Sequence, residues 1–168
     1  KEFEGDLGTV VILGNLTIGE GVNLNDNGKV LQVNGNISHS GTHKTDDASP
    51  GRIELTGGSA THEIDGDGTG QFKILTLDDA NGAIFLADQE VDSVLNLVDG
   101  VLDIDTYKLT VNSTATDPIV DDNSGDGATN NFVVSRMIQT AGNASDGGLE
   151  FFIDNDGTYI YPLGVSGK

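Results

Sequence analysis

The residues of this chain best suited to chemistry are carboxylates set in glycine-rich corners. In Asp65-Gly66-Asp67-Gly68-Thr69-Gly70, side-chain oxygens recur at alternate positions and Gly70 permits a sharp turn, which is how calcium-binding loops begin. Thr76 stands where a helix-flanked calcium loop needs its bidentate Glu, so only a corner site between strands fits. Asp121, Asp122, Asn123 and Asp126 form the densest acidic loop, and Asp154-Asn155-Asp156-Gly157 a third candidate. Ca2+ is therefore the one cofactor expected, with Asp65, Asp67, Asp121, Asp122, Asp126, Asp154 and Asp156 as ligands. The same residues also suit ordinary turns, because Asp and Asn favour corners for conformational reasons alone.

Other constellations offer less. His39, His43 and His62 have no Cys partner and no helix to place them on one face, so they are expected at exposed loop and strand positions rather than around a metal. Asp103 and Asp105 project from one strand roughly 7 Å apart, at the lower edge of an inverting glycosidase pair. Arg52 and Arg136 are the sole guanidinium groups, too few for a lyase that must meet a uronate. There is no Gly-rich phosphate loop, no nucleophile elbow and no Cys–His pair. The expectation is a protein that is not an enzyme. Phe85, Phe132, Phe151, Phe152, Tyr107, Tyr159 and Tyr161 could stack on sugar rings or pack in a core, and alternation in Phe151-Phe152-Ile153 turns at least one aromatic outward.

Charge narrows the partners. Eight Lys and Arg against 27 Asp and Glu leave a net charge of −19 over 168 residues, which opposes nucleic acid and anionic lipid. The chain has no Cys for disulfides or thiolate sites, and no apolar run near the roughly 18 residues that a membrane-spanning helix requires. With 24 Gly and regularly placed Val, Ile and Leu, the acidity belongs to a folded β-rich chain.

The elements that must position these residues are short and repeated. Leu16-Thr17-Ile18, Leu31-Gln32-Val33, Ile53-Glu54-Leu55, Leu75-Thr76-Leu77, Leu95-Asn96-Leu97 and Leu109-Thr110-Val111 each read as a minimal strand between Gly, Asn or Asp corners. Ile53, Leu75 and Leu97 follow Leu31 at intervals of about 22 residues, the size of one turn of a β-solenoid. The fold expected is all-β: β-solenoid rungs over 1–111 with a loop insertion at 39–52, an acidic loop or boundary at 112–130, and a C-terminal β cap or start of a sandwich-like module at 131–168. The start at Lys1 without a leader, and the end at Lys168 just after an apparent strand, fit a segment of a larger polypeptide.

The order of motifs carries a resemblance. Gly14-Asn15-Leu16-Thr17-Ile18, Gly35-Asn36-Ile37, Phe72-Lys73-Ile74-Leu75-Thr76-Leu77, Leu95 to Ile104, Leu109-Thr110-Val111 and the tail ending Tyr161-Pro162-Leu163-Gly164 together resemble the repeats of large secreted surface proteins of the Bacteroidota. The resemblance implies a β-helical module of a cell-surface adhesin or gliding-associated protein, exported by the type IX route and located outside the cell. It implies attachment to glycans, cells or abiotic surfaces, contact with other domains of the same polypeptide and with secretion machinery, and no catalytic residues. The alternative is a carbohydrate-processing β-helix, a polysaccharide lyase or glycoside hydrolase.

Overall fold

A computed structural model describes residues 8–46, 48–115, 118–121, 132–153 and 159–165. Among these the chain forms strands and no helix. Turn one comprises β1 (Thr9–Ile12), β2 (Leu16–Ile18) and β3 (Asn23–Asn25), and turn two β4 (Val30–Val33), β5 (Ile37–His39) and β6 (Thr42–Lys44). Turn three runs through β7 (Arg52–Thr56), β8 (His62–Asp65) and the first part of β9 (Gly70–Asp78). The rest of β9, β10 (Ala83–Phe85) and the first part of β11 (Gln89–Asp99) make turn four; the rest of β11, β12 (Leu102–Asp105) and β13 (Lys108–Val111) make turn five. Turn six holds β14 (Ile119–Val120), β15 (Ile138–Thr140) and β16 (Gly148–Phe151), and β17 (Leu163–Val165) belongs to a seventh.

Every pairing between successive turns is parallel, which gives a β-solenoid of about seven turns with roughly 21-residue rungs. Three faces result. The first stacks β1, β4, β7, the second parts of β9 and β11, and β14; the second stacks β2, β5, β8, β10, β12, β15 and β17; the third stacks β3, β6, the first parts of β9 and β11, β13 and β16. First and third faces share one sheet because β9 and β11 run round the edge, where an extra residue in β11 shifts the register between Val91 and Val94.

Alternation within each strand sends one set of side chains inward. Leu31, Ile53, Leu75, Leu95 and Ile119 form one buried column, and Val33, Leu55, Leu77 and Leu97 another. The first two 22-residue intervals are those expected, but Leu95, not Leu97, lies beside Leu75. A two-residue slip keeps the inward face inward, so hydrophobic alternation could not separate these registers.

Corners follow from backbone geometry and hydrogen bonding. Gly100 has φ +89°, and a Cβ there would lie 2.0 Å from the Asp79 carbonyl oxygen, so turns four and five can stack only with glycine at this point. Asn15 Oδ1 accepts the Asn36 N–H at 2.9 Å and Asn36 Oδ1 accepts the Glu63 N–H at 3.1 Å, which satisfies corner amides from one turn to the next. The expected loop at 39–52 is shorter than the sequence suggests. His39 closes β5 and Thr42–Lys44 is a strand, so only the stretch after Lys44 departs from the coil. Beyond residue 131, β15, β16 and β17 add to the columns of the second and third faces.

Candidate functional site

The corner acids are built into turns. Asp65 ends β8 and its Oδ1 accepts the Gly66 N–H at 2.8 Å. Asp67 Oδ1 accepts the Thr69 hydroxyl at 2.6 Å and the Thr69 N–H at 3.0 Å, and these bonds hold its carboxyl below the ordinary value. Asp121 is buried, and its carbonyl oxygen accepts a hydrogen bond from Arg136 at 3.2 Å. Asp122, Asp126, Asp154 and Asp156 lie outside the described residues. Among the described residues no three His, Cys, Asp or Glu side chains converge as metal ligands. In the strand pair, Asp103 Oδ1 accepts the Asp105 N–H at 2.9 Å and Oδ2 accepts the Gln139 amide at 2.9 Å.

The three histidines overturn the expectation of exposure, since each is at most 1% accessible. Two of them, His39 in Ile37-Ser38-His39 and His62 in His62-Glu63-Ile64, share the inward face with isoleucine, a signal that alternation contains. His43 Nδ1 accepts the Lys73 N–H at 3.3 Å, which leaves Nε2–H to donate to Asp26 Oδ2 at 2.8 Å. Burial lowers the His43 pKa, with Asp26 opposing. His62 Nδ1 meets the Gly35 carbonyl at 2.7 Å and Nε2 meets Asp79 Oδ2 at 3.1 Å, so both ring nitrogens face acceptors. His39 stacks on Phe72 with centroids 4.2 Å apart and planes 13° apart. Neither of its ring nitrogens has a hydrogen-bond partner, and the Gln89 side chain faces the ring without reaching bonding geometry. Burial, then His43, lowers the His39 pKa to about 4, against Gln89 and Asp67.

The third face gathers outward polar groups that the sequence did not single out. Thr42, Gln71, Glu90, Thr110 and Glu150 stand in one register column, flanked by Lys73, Asp92 and Lys108. Asn112 donates to Glu90 Oε1 at 2.9 Å, and Lys108 Nζ contacts Glu150 at 2.9 Å. Two shallow recesses of about 250 Å³ each lie here, one floored by Gln71, Glu90 and Thr110, the other by Thr42, Lys73 and Asp92. Burial, then a hydrogen bond with Glu90 and its charge, raises the Asp92 pKa, while Lys73 opposes. The face thus offers hydroxyl, amide, ammonium and carboxyl groups side by side, the donors and acceptors that a polyhydroxylated ligand needs. Of the candidate stacking aromatics, Phe85 is fully buried and Phe152 is half exposed. Phe151 packs edge-to-face on Tyr159 and Tyr161, with centroids 5.5 and 5.3 Å away.

Parallel columns around one apolar core place the chain in the class of β-solenoid repeat proteins. No protein-family model, no curated protein and no solved structure matches it.

Proposed function

We propose that the chain is a non-catalytic structural and adhesive module of a large secreted or cell-surface bacterial protein, a stiff coil whose third face contacts a hydroxyl-rich polymer such as a glycan. The observation that carries this reading is the polar column from Thr42 to Glu150, mounted on strands whose inward neighbours are core. A rigid sheet holds such groups at fixed intervals of about 4.8 Å, so a repeating ligand can engage several turns together. The resemblance of its motif order to the surface repeats of the Bacteroidota supports an extracellular setting and export by the type IX route.

One feature favours a second reading, a carbohydrate-processing β-helix: burial, and then neighbouring Glu90, raises the Asp92 pKa, as the acid of a carboxyl pair requires. A panel of polysaccharides, assayed for retention of the protein and for new reducing ends or unsaturated products, separates the two. Retention without turnover is the expected result. Products that vanish in Asp92→Asn would replace the adhesive reading with the enzymatic one.

A further inference from the structure

His39 sits at the centre of turns two and three, with Ile18 of β2 beside it in register, Phe72 of β9 against its ring and Gln89 of β11 facing it. The titratable groups that face it are His43 of β6 and Asp67 in the corner after β8, the latter exposed and already bound to Thr69. A proton on this ring therefore arrives in a buried slot with no carboxylate in contact and only the Gln89 amide facing it, too little to offset the lost hydration, and a second proton on His43 adds a like charge. His43 has its own conflict. Protonation of Nδ1 expels the Lys73 N–H that it accepts, while Asp26 from the corner after β3 holds only the other nitrogen, and Lys44, Lys73 and Asp92 line the recess in front.

We propose that turns two and three are an acid-sensitive section of the coil, in which protonation of buried His39 and His43 opens β5, β6 and the first part of β9 while turns four and five stay wound. Most contacts of a rung are with its nearest neighbours, so a solenoid can open locally without global unfolding. The sign follows from proton uptake. An unfolded His binds a proton below its ordinary value of 6.5 and the folded His39 only near 4, so the opened form gains as pH falls between those values. At pH 5 the opening equilibrium should rise by about 30-fold over pH 7.5 from His39 alone.

Hydrogen exchange read by mass spectrometry on the whole chain, corrected for intrinsic rates, tests this at pH 7.5 and 5.0. Peptides covering 37–44 and 70–73 should lose protection by about 30-fold, and peptides covering 95–104 by less than about 3-fold. His39→Phe, which keeps the stack on Phe72 and cannot be protonated, should remove most of that pH dependence. Unchanged protection, uniform loss along the chain, or a variant as acid-sensitive as the wild type would overturn the proposal. Should the variant not fold, ring titration of the wild type by NMR decides: a His39 that titrates near 6.5 in the folded chain overturns it, and one that stays neutral to below pH 5 upholds it.

Discussion

The Asp79 carboxylate accepts the Gly58 N–H at 2.6 Å, the Asn81 N–H at 2.9 Å and the Asn81 amide at 3.0 Å, and meets buried His62 at 3.1 Å, so its removal strands a buried ring nitrogen and breaks three part-buried bonds that hold the corner. Asp79→Ala should cost about 2–4 kcal/mol by thermal unfolding, while Asp67→Ala on an exposed corner should leave the melting temperature nearly unchanged. Acid acts on the same residue. Burial raises its pKa, but the bonds from Asn81, Gly58 and His62 outweigh that and hold it below 3.8. A depressed carboxyl contributes stability above its unfolded pKa and loses it as pH falls through the folded one, so Asp79 should add a further loss of stability below pH 3.8. A melting temperature that falls no faster there in the wild type than in Asp79→Ala would contradict this. The inward histidines were legible in principle, because Ile37-Ser38-His39 alternates as plainly as any leucine pair. What outweighed alternation was the polar character of His, which makes exposure the default for a side chain that here fills core space.

At the scale of elements, the core columns set the sharpest contrast. Leu97 is fully buried between rungs and pairs with Leu77, whereas Asn96 faces outward and donates to Thr76 Oγ1 at 2.9 Å. Leu97→Asp should cost roughly 3 kcal/mol or more and Asn96→Asp under about 1, measured as melting temperatures. Gly100→Ala belongs with the costly changes, since it combines φ +89° with a contact of 2.0 Å to backbone. Strand identity and the parallel coil were readable from short alternating triplets and Gly-Asn corners. Register was not: β9 and β11 each serve two faces, and the bend between their halves leaves no mark in an apolar pattern of period two. The third face was missed for the same reason. Glu90 and Asp92 stand on the first part of β11, where Val91 is the buried neighbour, and only pairing with β9 and β13 shows that they share a face with Gln71 and Thr110.

Across the whole molecule the dominant fact is a charge of −19 on stacked rungs. Neighbouring turns lie about 4.8 Å apart, well inside a Debye length of about 8 Å, so acids in register repel one another. At Asp78 burial raises the pKa, and the charges of Glu54 and Asp99 raise it further. Cations should therefore stabilise the coil. If Asp65, Asp67 and Asp121 belong to calcium sites, calcium should raise the melting temperature more than sodium of equal ionic strength, and Asp67→Asn should remove part of the difference. Equal shifts would leave these residues as turn formers that hold no metal. The central proposal, that a polymer is held on the third face, is tested most directly by comparing variants of the three faces for retention on a polysaccharide that the wild type binds. Gln71→Ala combined with Glu90→Ala should weaken retention by about 5-fold or more, while Gln32→Ala on the first face and Ser38→Ala on the second should leave it within about 2-fold. Equal retention by all three would contradict binding through the third face.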